Sequence, residues 1–489
     1  MNGSIAGQIF ILLLMLGLNC QAAVSSAKAL HLLNRMTYGP KPGDVRRLAA
    51  TGDEGLRQFI ERQLNAGEFK QEPKIEKKLK SFLTLNYTNQ QMLSQHFDEK
   101  LNMSDSESRG KPEIILKELM LQKLVRAVES ENQFAEVILD FWFNHFSVNF
   151  SFDTTRFFVT SYERDAIKPH VFGYFKDLLM ATAKSPAMMQ YLSNVRSVNG
   201  HIIENYSREL LELHTVGIGA KYSQNEVEEV ARIFTGWSVE KWPRTGKFRF
   251  YPENHDPGSK TALNLDFPAN EGINEGERLI NYLAADSRTA EHISKKLAVR
   301  FISDNPSAEI VSHLTKIFID THGNLKEVYK ALFTSEEFWN EKNFNSKIKT
   351  PFEFVVSSAR ALDIDVRTGR PGFDMLMDFL EQSGQPVYRC VPPIGFEDKA
   401  EVWISASGAV NRINYSKLLT GNKIPLIPFK ASPLSRPASI DSINEMVFNS
   451  AITPKSVQKI KELQVAEKFS VRDQRVLALM LATIDFQRR

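Results

Sequence analysis

Apolar residues recur at helical spacing along almost the whole 489-residue sequence, and this periodicity constrains the fold more than any other feature. The strongest examples are Glu113–Glu129 and Phe134–Phe146. The periodicity disappears between residues 242 and 276, where Phe248 and Phe250 alternate with polar residues, as in a short strand. The sequence therefore predicts an all-α, multi-helix fold with a small irregular passage that contains a β-hairpin.

The first 23 residues have the pattern of a secretory signal peptide. The apolar run Ile9–Leu18 is too short to span a bilayer, and the small residues Ala22 and Ala23 follow it. We therefore expect an exported protein, either periplasmic or extracellular. After this signal peptide (1–23) we expect an N-terminal helical lobe (24–240), an irregular or hairpin insertion (241–276) and a C-terminal helical lobe (277–489).

Composition and charge exclude several kinds of site and partner. Removal of the signal peptide removes Cys20 and leaves Cys390, so neither a disulfide within the chain nor a cysteine-based metal site can form. A net charge of +3 over 489 residues gives no electrostatic basis for nucleic acid as a partner. No later segment is apolar enough to form an integral membrane span.

The segment Glu204–Trp237 carries a dense set of polar residues at helical spacing. Asn205, Arg208, Glu209 and Glu212 fall at positions i, i+3, i+4 and i+7, which places them on one face of a helix. Such a face is either ordinary solvated surface or the wall of a polar cleft. Spacing by itself leaves both interpretations open.

Two glycines divide this segment into a pair of helices. His214 ends the first helix, and Gly217 and Gly219 follow it, because glycine readily adopts the left-handed conformation that closes a helix. Ser223 and Glu226 have the spacing of a capping box, which predicts the start of the second helix.

His145 lies on the apolar stripe of the helix Phe134–Phe146, and Asn149 lies one turn further on if the helix continues. A histidine among aromatic residues must satisfy two ring nitrogens away from water. In one interpretation it is a core histidine that bonds to a backbone carbonyl. In the other it is a desolvated acid–base group or a metal ligand, with a pKa shifted by burial.

His255, Asp256 and Lys260 lie in the irregular passage. Loops on a helical scaffold often carry binding groups, although a His-Asp pair also occurs by chance in surface loops. The sequence has no H-E-x-x-H, no G-x-S-x-G and no G-x-x-x-x-G-K motif. Cofactor and metal content are therefore unknown from the sequence.

Ordered motifs along nearly the whole chain resemble the bacterial family catalogued as domain of unknown function 1800. They are HLLNRMTYGP, FWFNHFSVNF, YERDAIKPHVFGYFKDLLMATAKSPAMMQYLSN, ENYSRELLELHTVG with ARIFTGW, HDPGSK, TAEHISKKLAVRFISDNP, KTPFEFVVSSARAL, PPIGFEDKAEVW and ATIDFQRR. The resemblance implies an exported, mostly helical bacterial protein, often encoded beside a sulfatase-like companion protein. It implies no settled reaction.

The chain departs from the pattern of this family at three places. Ser185 stands where a histidine is common, Ser193 where an aspartate is common, and Ser287-Arg288 replaces the more usual His-Pro. A metal or proton-relay role at these positions is therefore in doubt in this chain. The polar residues that do match the family are His145, Arg208, Glu209, Glu212, His214, His255, Asp256, Lys260 and Lys296.

Two hypotheses of function follow, and the first is an exported enzyme. Its cleft would lie between the helix Phe141–Asn149, the helix Asn205–His214 and the loop His255–Lys260. Glutamate and histidine would transfer protons, and an arginine would orient a carboxylate or hydroxyl group of the substrate. The chemistry is either acid–base or assisted by a divalent metal held by His and Glu, and both carbohydrate-polymer processing and oxidation stay open. The predicted catalytic residues are His145, Arg208, Glu209, Glu212 and His214. The predicted substrate-binding residues are Asn149, Asn205, Trp237, His255, Asp256, Lys260 and Lys296.

The second hypothesis is a non-catalytic binding or assembly partner of an exported sulfatase-like companion. Under this hypothesis the charges around Arg208 are a structural ion-pair network. Trp237 and Trp242 would then be exposed and would form a contact surface for the partner.

Overall fold

The computed structural model describes residues 26–65, 72–96, 110–240, 245–368, 372–428, 439–471 and 473–489. The predicted signal peptide and Trp242 lie outside these ranges. The described chain is mainly helical and contains two small two-stranded antiparallel sheets. This architecture confirms the predicted all-α fold.

The helices before the first sheet include three long ones, α3, α6 and α7, among many short ones. Their bounds are α1 (residues 26–36), α2 (Asp44–Ala49), α3 (Gly52–Asn65), α4 (Pro73–Leu79), α5 (Asn89–His96), α6 (Gly110–Glu129), α7 (Gln133–His145), α8 (Val159–Ser161), α9 (Phe175–Ala183), α10 (Pro186–Tyr191), α11 (Asn205–Glu209) and α12 (Gln224–Ile233). Two π-helical segments follow α8 and α11 directly, at Tyr162–Ile167 and Leu210–His214.

The two sheets lie in the predicted irregular passage and at its start. Strand β1 (Trp237–Val239) pairs antiparallel with β2 (Phe248–Phe250), which confirms the strand predicted from the alternation of Phe248 and Phe250. Strand β3 (Lys260–Ala262) pairs with β4 (Leu265–Phe267) across a two-residue turn. Both turn residues, Leu263 and Asn264, have positive φ, as a tight hairpin turn requires.

The helices after the sheets complete the fold. Their bounds are α13 (Ile273–Ala285), α14 (Ser287–Phe301), α15 (Ala308–Asp320), α16 (Leu325–Thr334), α17 (Pro351–Ala361), α18 (Phe373–Gln382), α19 (Ala400–Trp403), α20 (Ala406–Thr420), α21 (Ile440–Phe448), α22 (Pro454–Ala466), α23 (Gln474–Ala482) and α24 (Ile484–Gln487). Of the helices that the structure describes, none has both the length and the apolar character needed to cross a bilayer.

One continuous hydrophobic core joins the two predicted lobes. Helix α3 packs on α16 and α6 packs on α17, so elements from both sides of the sheets share this core. The division into an N-terminal and a C-terminal lobe therefore stays a prediction, and the site must be described from elements of both.

Helix α7 lies in the centre of this core and is buried along almost its entire length. Phe134 contacts the rings of Tyr329 and Phe333 edge to face, and Trp142 Nε1 donates to the Tyr329 hydroxyl at 2.6 Å. Because aromatic contacts and a buried hydrogen bond hold α7, its C-terminal residue, His145, has a fixed position.

Candidate active site

A pocket of about 380 Å³ lies at the C-terminal end of α7. Its walls come from α7, the π-helical segment after α11, helix α14 and the loop that precedes α19. The lining residues are Phe141, Asn144, His145, Glu212, Leu213, Ile218, His292, Lys295, Lys296, Val299, Ile394, Phe396, Glu397, Asp398 and Lys399. A volume of this size accepts a small molecule or the end of a polymer.

The loop of residues 394–399 is fixed to α7 by a reciprocal pair of hydrogen bonds. Asn144 Nδ2 donates to the Phe396 carbonyl and Asn144 Oδ1 accepts from the Phe396 amide, both at 2.7 Å. Gly395 allows this approach, because a Cβ there would lie 2.3 Å from the Asn144 carbonyl oxygen. One wall of the pocket is therefore positioned by backbone contact with the central helix.

The opposite wall contains an irregular helix where the sequence predicts a regular one. The predicted helix Asn205–His214 is α-helical only through Glu209 and continues as a π-helix over Leu210–His214. The periodicity of apolar residues does not reveal such a change, since a π-helical turn differs from an α-helical one by a single residue. π-Helical turns are frequent at functional sites, and this one carries Glu212 into the lining of the pocket.

Gly217 brings the turn after the π-helix against His292. Its φ is +91°, and a Cβ at this position would lie 2.9 Å from His292 Nδ1. His292 Nε2 lies 3.3 Å from the Leu213 carbonyl oxygen. Because a carbonyl only accepts, this nitrogen carries the hydrogen. The glycine predicted to close a helix therefore also makes room for an imidazole of the pocket.

Three histidines lie close together at the pocket: His145 and His292 line it, and His214 lies beside His145. The ring centroid of His145 lies 6.2 Å from that of His214 and 6.2 Å from that of His292. Burial, followed by the positive charge of Lys296, lowers the pKa of all three. The pKa of His214 falls to about 3 and that of His292 to about 4. All three imidazoles are therefore neutral at pH 7.

His145 has one ring nitrogen engaged and one free. Its Nε2 lies 3.3 Å from the carbonyl oxygen of His214, so this nitrogen donates and Nδ1 carries the lone pair. Nδ1 is buried and makes no hydrogen bond within the described chain. The side chain is 1% exposed, so this lone pair faces no bulk water. His145 therefore has the arrangement of a neutral general base.

Lys296 is largely buried at the wall of the same pocket. Among the described residues, no carboxylate pairs with its ammonium group and no hydrogen-bond partner satisfies it. Burial lowers its pKa to about 8, and the negative charge of Asp398 opposes part of this shift. Asp398 is itself engaged by Arg300 at 2.9 Å, which weakens its effect on Lys296. About a tenth of Lys296 is therefore a neutral amine at pH 7, far more than of an ordinary lysine.

Of the predicted catalytic residues, the structure brings His145 and Glu212 together at the pocket, with His214 behind them. Arg208 and Glu209 are not among the described residues that line it. Arg208 lies 3.6 Å from Glu212 and 2.9 Å from Glu204, so it holds Glu212 from the side. Burial, and then the charge of Glu212, raise the pKa of the Glu209 carboxyl group.

Of the predicted substrate-binding residues, Lys296 alone lines the pocket. Asn149 accepts a hydrogen bond from the Ser151 amide at 2.8 Å, and Asn205 is the first residue of α11. Trp237 is 0% exposed and contacts Phe234 and Phe248 edge to face. The expectation that Trp237 forms an exposed contact surface is therefore wrong, because its ring fills the core beneath β1.

His255, Asp256 and Lys260 belong to a separate buried cluster. Lys260 Nζ lies 2.7 Å from a Glu275 carboxylate oxygen, and both side chains are 0% exposed. His255 Nε2 lies 3.3 Å from the other oxygen of Glu275. Asp256 pairs with Arg232 at 2.8 Å. These contacts join the β3–β4 hairpin to α12 and α13, and the substrate-binding role of the three residues stays a prediction.

Sequence reasoning missed His292 and Asp398 as members of the site. His292 precedes Lys296 by four residues, so both lie on one face of α14, and this spacing could have indicated them as a pair. Asp398 carries no such signal, since only the tertiary fold brings its loop to α14. In the part of the chain that the structure describes, no group of three or more His, Cys, Asp or Glu residues could hold a metal ion.

Comparison with known proteins gives a family for this chain and no further relative. No curated protein and no solved structure matches it. The family model described as protein of unknown function (DUF1800) matches residues 31–488, which include every residue of the pocket. The chain therefore belongs to the DUF1800 family.

Proposed function

We propose that this protein is an enzyme that performs acid–base chemistry in the pocket at the end of α7. One observation carries the proposal: two side chains that each have a basic nitrogen without a partner in the described chain, His145 and Lys296, line a single cavity of about 380 Å³. Unsatisfied buried polar groups destabilise a fold, and they cluster at sites where they perform chemistry.

The charges around the cavity suggest a role for each group. His145 is the general base, because its Nε2 hydrogen bond to the His214 carbonyl leaves Nδ1 free to accept a proton. Glu212, held by Arg208, supplies a carboxylate for proton transfer. Lys296 supplies an amine that is easily deprotonated.

The walls indicate a substrate with an apolar part and a polar part. Phe141, Val299 and Phe396 form apolar surface, whereas Lys295, Glu397 and Lys399 present charges. A small polar molecule, or the end of a carbohydrate polymer, fits this combination of volume and chemistry.

We also propose that the enzyme is exported, since residues 1–23 have the composition of a signal peptide. N-terminal sequencing of the protein recovered from the periplasm or the medium should begin at Ala23 or Val24. Recovery of a chain that begins at Met1, in the cytoplasm only, would contradict export.

The proposed activity is tested with a mixture of small polar metabolites and soluble oligosaccharides, by mass-spectrometric detection of compounds that the purified protein consumes. In His145→Gln the side-chain amide can still donate to the His214 carbonyl, but the free lone pair is lost. We expect turnover to fall about 100-fold or more in this variant. His313→Gln, at an exposed position of α15, is the matched control and should keep full turnover. Equal turnover in both variants would overturn the proposal.

A second candidate function is a binding partner of a sulfatase-like companion. It is favoured by large apolar side chains that are exposed: Ile218, which lines the pocket, is 68% exposed, Val391 76% and Ile404 61%. If this function holds, Val391→Asp should release the companion in a co-purification experiment, whereas His145→Gln should retain it. A companion that co-purifies with neither the wild type nor His145→Gln excludes this candidate.

A further inference from the structure

Lys296 has no counter-ion among the described residues, whereas three buried lysines do. Lys123 lies 2.5 Å from Asp140, Lys260 lies 2.7 Å from Glu275 and Lys347 lies 2.5 Å from Asp304. Placing an unpaired ammonium group away from water costs free energy, and these three lysines offset that cost by ion pairing. Buried Lys349 also has no ion pair in the described chain, but its ammonium group lies 3.8 Å from the centroid of the Phe486 ring. Lys296 differs from all four in lining the pocket at the end of α7, which indicates a role that needs the free amine.

The surroundings of Lys296 suit a nucleophile. His292 lies one helical turn earlier on α14 and lines the same pocket, and Asp398 faces Lys296 from the opposite loop. The neutral imidazoles of His145 and His292 can accept a proton, and Phe141 and Val299 add apolar surface to the walls. An amine, proton acceptors and apolar surface therefore occur together at one cavity.

We infer that Lys296 forms an imine with a carbonyl substrate, that is, with an aldehyde or a ketone. This inference rests on the proposed function, because it names the substrate class of the same pocket. A low pKa is a common means of activating a lysine for this chemistry, and the pKa of Lys296 lies at about 8.

The step balances without an oxidant or a reductant. The lone pair of neutral Nζ attacks the carbonyl carbon, and the π electrons of the C=O bond move to the oxygen. A proton then passes from nitrogen to that oxygen to give a carbinolamine. The proton that left the ammonium group of Lys296 when Nζ became neutral is returned to the hydroxyl group, which departs as water as the protonated C=N bond forms. The net change is ammonium plus carbonyl compound to protonated imine plus water.

Reductive trapping of the whole wild-type protein tests this inference. The protein is incubated at pH 7 with glyceraldehyde or with pyruvate in the presence of sodium cyanoborohydride, and modified lysines are located by peptide mass spectrometry. Modification adds the mass of the carbonyl compound less one oxygen atom. Lys295, exposed on the same helix, is an internal control. We expect labelling of Lys296 to exceed that of Lys295 about tenfold or more, since buried amines of low pKa react as the neutral form.

The outcomes separate this inference from the proposed function. Labelling of Lys296 no faster than that of Lys295, with both probes, overturns the imine. If His145→Gln then still loses turnover, acid–base chemistry stands without a covalent intermediate. If His145→Gln keeps full turnover, the proposed function fails, whatever the labelling of Lys296. Labelling of Lys296 that is blocked by a consumed metabolite from the turnover experiment supports both.

Discussion

Two lysines of this protein, Lys260 and Lys296, are both removed from water, yet their surroundings differ. Lys260 is sealed, with Glu275 at 2.7 Å and the Asp256 carbonyl oxygen at 2.5 Å. Lys296 opens onto a cavity of about 380 Å³ and has no partner among the described residues. The contacts of Lys260 give its ammonium group both an ion pair and a hydrogen bond. The ammonium group of Lys296 has neither and is available to a ligand.

This difference separates a structural ion pair from a candidate reactive group. The Lys260 cluster joins the β3–β4 hairpin to α13, and its charges compensate one another. At the pocket, burial and then the charge of Lys296 lower the pKa of three neighbouring histidines, which are neutral at pH 7. Both regions are buried, and both contain residues that match the family. The feature that distinguishes their roles is whether the lysine has an ion-pair partner.

The largest effect on stability is expected for a substitution of Lys260. Replacement by Met leaves the Glu275 carboxylate buried without its cation, which should destabilise the fold by about 3–5 kcal/mol. Urea denaturation followed by circular dichroism measures this change. The control is Lys330→Met, whose pair with Glu61 is exposed and should contribute at most about 1 kcal/mol. A loss in Lys260→Met no greater than in the control would show that the cluster is not structural.

Replacement of Lys296 by Met should instead stabilise the fold at pH 7. The folded-state pKa of about 8 lies below the ordinary 10.5, so the unfolded chain holds a proton more readily than the folded chain between these pH values. The cost of burying the charge is therefore complete below pH 8 and disappears as pH rises towards 10.5. We expect Lys296→Met to gain about 2–3 kcal/mol at pH 7 and nothing at pH 10.5. Thermal unfolding of both proteins across this range measures the gain, and a variant that is less stable than wild type at pH 7 would contradict it.

The smallest effect is expected at Gly217, where the glycine turn contacts His292. Gly217→Ala combines a strained φ of +91° with a Cβ 2.9 Å from His292 Nδ1, whereas Gly219→Ala has a φ of +87° and no atom within 4 Å. Both substitutions cost about 1 kcal/mol from backbone strain, and Gly217→Ala should cost about 1 kcal/mol more because the imidazole must move. Denaturation curves measure both. Equal curves, and equal reductive labelling of Lys296, would show that the contact with Gly217 does not position His292.

Sequence patterns predicted much of the fold, because helix and strand formation depend on local spacing. The capping box of Ser223 and Glu226 and the strand Phe248–Phe250 occur as expected. The π-helical segment after α11 was not predicted, because it depends on tertiary packing and not on a repeat of apolar residues.

For the site, sequence patterns were enough to place His145 on the apolar face of a helix. They also placed Glu212 and Lys296 within helices. Tertiary structure alone decided that these three share one cavity with His292 and Asp398, and that His255 and Lys260 belong to another cluster. The physical reason is that spacing along a helix fixes which side of it a residue occupies, whereas the partner that it meets there comes from elements distant in sequence. Whether a buried charged side chain has an ion-pair partner therefore depends on the tertiary fold.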